Sequence, residues 1–467
     1  MKYSQQELIS LVSICIGTFL IILDTNIVNI LIPELRREMD LTISQTSWIV
    51  NSYVLAFASL ILLFARISKR IGAKNAFIFG ITIFMIGSIL CGLSDVYVEL
   101  VIARIIQGIG AALFAPIATK LLSSTVTEPK KRAIAFGVWS GTSGMAFAFS
   151  PMVGGFLNEL WGWQSVFLIN IPFSLIVILT ASIAIKDVKK EQTSLFMKEQ
   201  IMIVLLMLTF VYITHEYKRM YETPFLLIAG ILLLLILGSI YSRKFQQNLT
   251  HVIQRQMFSR LNISSLLNGF TYNFSIYGIM YFLSIYFQDN LYLSSLETGI
   301  KFLPLTVSAM LISSFLSLIL VNRIGQTFTQ QLCLFAIICG SSILCIYFGI
   351  SGVPSFILIS FILLGFSGAI APVLMNTAFL TTSKMYHNEI SSLVNLLRQM
   401  GSIIGIMIVS IMLHFFESKI AILYFLLLTM LSSSIAYLYL VWAHKMEERS
   451  FKCNDKITGS HTNKGEG

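Results

Sequence analysis

Residues 8–33 read Leu-Ile-Ser-Leu-Val-Ser-Ile-Cys-Ile-Gly-Thr-Phe-Leu-Ile-Ile-Leu-Asp-Thr-Asn-Ile-Val-Asn-Ile-Leu-Ile-Pro, an almost unbroken apolar run with one carboxylate, Asp24, in its interior. A helix crosses the hydrocarbon of a bilayer with about 20 mainly apolar residues, and this run is long enough to do so. Comparable runs lie near 46–64, 76–94, 98–119, 134–157 and 164–185, then 200–215 and 222–242, then 264–287, 299–321, 328–349, 354–380, 389–413 and 418–443. That makes fourteen segments arranged six, two, six. The expected fold class is an all-α integral membrane bundle of two six-helix halves with two additional central spans. The expected boundaries are 1–186 for the first half, 187–261 for the linker and its two spans, 262–443 for the second half and 444–467 for a polar tail.

Composition points the same way. Hydrophobic residues make up 56% of the 467-residue chain and charged residues 12%, with mean hydropathy +0.81. Soluble chains carry roughly 25% charged residues, so a water-soluble fold is excluded. The first run is too long for a signal peptide and lacks a small-residue cleavage site, so it is expected to stay in the mature protein. Five of the six cysteines lie inside apolar runs without zinc or redox spacing, and no metal site is expected. No phosphate-cradling Gly-x-x-x-x-Gly-Lys-Ser/Thr loop and no His-Glu-x-x-His helix occurs, which removes in-chain ATP chemistry.

The net charge of +10 is distributed by loop. Arg66, Lys69, Arg70 and Lys74 follow the second run, Lys120, Lys130, Lys131 and Arg132 the fourth, and Lys186, Lys189, Lys190 and Lys198 the sixth. Arg243, Lys244, Arg255 and Arg260 follow the eighth. The alternate loops hold few cations, such as Arg36, Arg37, Lys218 and Arg219, several beside acids. Basic loops stay on the cytoplasmic side, so both termini are expected there. Topology thus accounts for the charge, with the lipid bilayer as partner and no nucleic acid. A re-entrant hairpin at 200–242 would leave this register unchanged, but the polar turn at 215–222 favours two short spans.

Asp24 is the acid set deepest in an apolar run, within Leu23-Asp24-Thr25-Asn26-Ile27-Val28-Asn29. A charge at that depth costs roughly 2.5–3.5 kcal/mol on insertion scales, so such residues usually face a cavity and serve function. The plainer reading is a protonated Asp bonded between helices. A carboxyl group withdrawn from water takes up a proton more readily, which suits reversible proton transfer or pairing with a cation. Arg104 and Arg398 are the two cations inside spans, each with a glutamine close by, Gln107 and Gln399. Arg104 is the stronger functional candidate, placed to tune a carboxylate such as Asp24; for Arg398 a structural role satisfying backbone carbonyls is equally open. Asn273 and Tyr277 in the ninth run are cavity candidates, as are Asn29, Asn51, Tyr53, Trp139 and Asn376, while Tyr286 and Gln288 are expected at an interfacial belt or rim. The fifth run carries Gly137, Gly141, Gly144, Pro151, Gly154 and Gly155, a pattern for a kinked, closely packed helix. An internal echo, Arg70-Ile71-Gly72 after the second run and Arg323-Ile324-Gly325 after the tenth, fits a duplicated design.

With these motifs the chain resembles the major facilitator superfamily, and its six-two-six layout is similar to the fourteen-span drug:proton antiporter family. Leu23-Asp24-x-x-Ile27-Val28-Asn29 is similar to that family's first-helix signature. Arg104-x-x-Gln107-Gly108-x-Gly110 resembles its proton-transfer motif, and Pro151-x-x-Gly154-Gly155 its antiporter motif. Phe167-Leu168-Ile169-Asn170-x-Pro172, Gln288-Asp289 and Asn395-x-x-Arg398-Gln399-x-Gly401 also look like family landmarks. Arg66, Arg70, Gly72 and Lys74 resemble the gating motif, but Lys69 stands where that motif has an acid. A lysine would be repelled by the positive N-terminus of the thirteenth span, and Glu389 there offers a charge-swapped partner. Ser150 replaces the usual glycine before Pro151, so looser packing of that span is expected.

The resemblance implies a proton-coupled secondary exporter, a multi-pass protein of the bacterial cytoplasmic (inner) membrane driven by the proton gradient without a cofactor. Asp24 and Arg104 would couple protons to a small lipophilic substrate, neutral or monocationic, such as a drug. Arg104 and Arg398 keep open an anionic metabolite, such as a carboxylate siderophore or a fatty acid. A monomer is expected, with a periplasmic adaptor as further partner if the source is Gram-negative. A membrane-embedded enzyme or sensor would need a cluster of nucleophiles or an attached soluble domain, and the longest polar tract is the short tail after Lys445.

Overall fold

The computed structural model describes residues 3–186, 259–383 and 387–462. The segments expected near 200–215 and 222–242, with almost all of the linker 187–261, lie outside the described residues. Twelve long helices run through the described part. They are α1 (Gln5–Glu38), α2 (Ile43–Ile71), α3 (Ala73–Gly92), α4 (Tyr97–Thr125), α5 (Pro129–Trp161) and α6 (Gln164–Ala184). After the linker come α7 (Arg260–Ile285), α8 (Ser295–Ile324), α9 (Gln326–Ile350), α10 (Pro354–Thr381), α11 (His387–Phe415) and α12 (Ser418–Thr462).

Several helices begin past the apolar run because polar caps start them. Ser4 and Glu7 close a capping box on α1, Thr42 and Gln45 on α2, and Ser294 and Glu297 on α8. Each satisfies two N–H donors that a helix start leaves free. Ten of the described helices are long and apolar enough to cross a membrane; α5 and α7 are the two that fall short on composition.

The packing repeats with an offset of six helices. In the first set α1 packs on α4, α5 and α6, and α4 packs on α2 and α3. In the second, α7 packs on α10, α11 and α12, and α10 packs on α8 and α9. The sets meet where α5 touches α8, α2 touches α11, and α1 touches α7. The Arg-Ile-Gly echo marks equivalent corners: Gly72 (φ 94°) and Gly325 (φ 83°) turn α2 into α3 and α8 into α9 with left-handed backbone that favours glycine.

At the end opposite those corners, side chains tie the two sets together. Arg36 on α1 meets Asp289 just beyond α7 at 2.7 Å, and Gln288 donates to the Ile30 carbonyl at 2.9 Å. Asn158 on α5 donates to Ser295 at 2.9 Å, and Tyr281 on α7 donates to the Ile43 carbonyl at 3.3 Å. Gln288 and Tyr286 are therefore buried ties between helices rather than residues of an interfacial belt. Nor is the α5–α8 crossing loose, despite Ser150. A Cβ on Gly299 would lie 2.8 Å from the Pro151 carbonyl carbon, and Ser150 is wholly buried with its hydroxyl donating to Phe147 at 3.0 Å. Without a hydrophobic drive between helices in lipid, this close backbone contact supplies the packing attraction.

Candidate functional site

Asp24 sits midway along α1 and is 1% exposed. Its carboxylate accepts from Arg104 Nη1 at 2.6 Å, from Gln107 Nε2 at 2.7 Å and from Asn170 Nδ2 at 3.1 Å. Arg104 Nη1 also donates to Gln107 Oε1 at 2.6 Å, and Arg104 Nε to the Ile49 carbonyl at 3.3 Å. Gln107 and Asn170 both donate to Ser88 Oγ, at 2.8 and 3.3 Å. Four helices, α1, α3, α4 and α6, and a carbonyl of α2 thus enclose one ion pair.

Close backbone approach makes this geometry possible. A Cβ on Gly87 would lie 2.7 Å from Gln107 Cα, so α3 can bring Ser88 against α4. A Cβ on Gly108 would lie 2.9 Å from Ala56 Cβ, so α4 can press on α2 beside Tyr53. The Tyr53 ring then caps the guanidinium, its centroid 4.3 Å from Arg104 Cζ, with Phe167 at 5.7 Å on the same group. Such stacking is worth about 2 kcal/mol when desolvated. Taking both ions out of water costs several kcal/mol each, which only this degree of hydrogen bonding offsets. Protonation of Asp24 would remove the ion pair and leave Arg104 held by neutral partners alone, so one proton changes the interactions of four helices at once.

Beside the ion pair lies a second group of buried polar atoms. Asn26 Oδ1, Asn29 Oδ1, both side-chain atoms of Asn51 and Asn273 Oδ1 have no hydrogen-bond partner among the described residues. Tyr277 of α7 interacts with Asn26 of α1, so this polar seam joins the two helix sets. Leaving a buried polar group unpaired costs about 1–3 kcal/mol.

Trp139 donates to Thr18 at 2.8 Å, tying α5 to α1. Asn376 is exposed on α10, outside the buried polar group. Gln399 is partly buried and accepts from Ser402 at 3.3 Å, and Arg398 is partly buried against α7. Pro151, Gly154 and Gly155 act by contact: Gly154 faces Ile27 on α1, and Gly155 faces Ser295 at the start of α8. Of the gating residues, Arg66 and Lys69 are partly buried, Arg70 is exposed, and Gly72 turns the chain. Lys69 helps line a pocket of about 50 Å³ with Ser68, Lys120, Phe379, Ser391 and Ser392, joining α2 and α4 to α10 and α11. The Glu389 side chain lies outside the described residues. Two further residues, Ser88 and Asn170, also bear on the Asp24 carboxylate or its partners.

Comparison with known proteins agrees with this architecture. The family model described as Major Facilitator Superfamily matches residues 14–406. The chain is 27% identical over 413 residues to a methylenomycin A resistance protein of Bacillus subtilis (strain 168), covering 86% of this chain and 87% of the relative. It is 26% identical over 399 residues to the drug efflux pump JefA of Mycobacterium tuberculosis (strain ATCC 25618 / H37Rv), covering 84% and 77%. Its fold superposes on a mutant of the peptide transporter POT in complex with alafosfalin with a TM-score of 0.67, at 12% identity over 93% of this chain and 94% of that one. That likeness concerns the fold alone. With a family match across most of its length, the chain belongs to the major facilitator superfamily, as a multi-pass membrane transporter and not an enzyme.

Proposed function

We propose that this transporter is a proton-coupled antiporter that exports small lipophilic compounds such as drugs from the bacterial cytoplasm across the inner membrane. The observation that carries the reading is the buried Asp24–Arg104 pair beside a seam of unpartnered polar atoms. A proton arriving at Asp24 loosens α1 from α3, α4 and α6, and a cargo seated on the seam touches α1, α2 and α7. Both events bear on α1, which is the requirement for exchange of one against the other. The relatives named for antibiotic resistance and drug efflux support the direction and the class of cargo. The reading includes fourteen spans with both termini cytoplasmic, two halves at 1–186 and 262–443, action as a monomer, and Lys69 with Glu389 as a charge-swapped latch.

Amides and phenols suit a neutral, hydrogen-bonding cargo, and Asp24, held by Arg104, offers no free carboxylate to a cation. A second reading, export of an acidic metabolite such as a carboxylate siderophore or a fatty acid, is favoured by Arg398, whose Nε is buried without a partner. Everted vesicles loaded with methylenomycin A or members of a growth-inhibitor panel test the proposal. Uptake that follows an imposed pH gradient is the expected result; uptake indifferent to that gradient would remove antiport.

A further inference from the structure

Two arginines lie inside spans, and they are held in opposite ways. Arg104 is wholly buried and fully engaged with Asp24, Gln107 and Ile49. Arg398 is partly exposed on α11, and neither a hydrogen bond nor an ion pair joins it to any described residue. Its Nε is buried and unpartnered. The stem of the side chain lies across α7 at Gly269, where an added methyl would come within 2.8 Å of Arg398 Cγ. Tyr272 and Tyr277 of α7 are within electrostatic range of the guanidinium. Tyr277 also interacts with Asn26, which places this group on the seam between the two helix sets.

A guanidinium keeps its charge in a protein, so such a position holds a cation. Ionisable residues within membrane spans are rare and by default mark a functional site, with a partner to be identified. Among the described residues no carboxylate forms an ion pair with Arg398. We infer that Arg398, with Tyr272 and Tyr277, is the subsite for the acidic group of the cargo, and that the transported class is a lipophilic carboxylic acid. The planar guanidinium offers parallel N–H donors that match the two oxygens of a carboxylate, and the phenols donate to the lone pairs left over. The unpartnered amides of Asn26, Asn29 and Asn273 then serve neutral oxygens on the same molecule. The inference rests on the second reading above, in which an acidic cargo passes along this seam.

The test is binding to the purified full chain in phosphatidylcholine nanodiscs, with decanoate, methyl decanoate and decyl phosphate as probes and calorimetry as readout. The wild type is expected to bind decanoate about tenfold or more tightly than the ester, the worth of one charge-assisted hydrogen bond or more. Arg398→Gln abolishes the preference for the acid, Arg398→Lys retains part of it, and Gly269→Val weakens the acid while sparing the ester. A wild type that does not separate acid from ester overturns the inference, as does an Arg398→Gln variant that still favours the acid. Decyl phosphate binding as tightly as decanoate, or displacement of decanoate by phosphatidylglycerol in the nanodisc, would assign Arg398 to a phosphate or lipid headgroup instead. Binding is read without a proton gradient, so this result stands or falls apart from the coupling proposed at Asp24.

Discussion

Replacing Asp24 with Asn keeps the shape of the side chain and removes its charge. The amide oxygen can still accept from Gln107 or Asn170, but the new NH2 group faces Arg104 Nη1, donor against donor, across the former 2.6 Å contact. Arg104 is wholly buried and stays charged, so the variant strands a cation, and breaking a buried pair in this way costs roughly 3–5 kcal/mol. Arg104→Gln is the milder change, because the stranded Asp24 can neutralise itself by taking a proton. The double variant Asp24→Asn/Arg104→Gln contains neither charge and is expected to recover most of the loss, remaining about 1–2 kcal/mol below wild type through imperfect hydrogen bonds. Denaturant titration in mixed micelles measures all four corners of the cycle. An Asp24→Asn protein as stable as wild type, or a double variant less stable than Asp24→Asn alone, would refute the ion-pair reasoning.

Gly299→Val should cost about 1–3 kcal/mol and reduce transport more than folding, because the side chain strikes the Pro151 carbonyl where α8 crosses α5; comparison of expression with transport rate checks this. Arg36→Gln and Asp289→Asn each remove a partly exposed tie between α1 and α7, so stability falls by no more than about 1 kcal/mol while transport slows; the swap Arg36→Asp/Asp289→Arg should restore the rate, and a swap as slow as the singles rejects a latch. Lys69→Asp should impair transport and Lys69→Asp/Glu389→Lys should rescue it; failure of the rescue removes the charge-swapped latch.

The spans were legible because length and apolarity are local properties, and Asp24 was legible because a lone acid in such a run has no local explanation. Arg104 and Gln107 could be paired with it as a chemical type but not at a distance, since 80 residues separate Asp24 from Arg104. Ser88 escaped notice because a serine in an apolar helix commonly bonds its own backbone, and its role depends on the approach of α3 to α4 at Gly87. Gln288 lay near a run's end and so read as a rim residue, whereas the meeting of α1 with α7 buries it. Each of these depends on how helices turn toward one another, which single-sequence periodicity does not encode.

In the proposed exchange, Asp24 carries the proton that drives export. Proteoliposomes with an entrapped pH indicator and a preset pH gradient read it directly when a transported compound is added. Wild type should discharge the gradient on addition, and the charge-free Asp24→Asn/Arg104→Gln protein, folded and binding the same compound, should not. Substrate-driven proton movement at the wild-type rate in that double variant would contradict the claim.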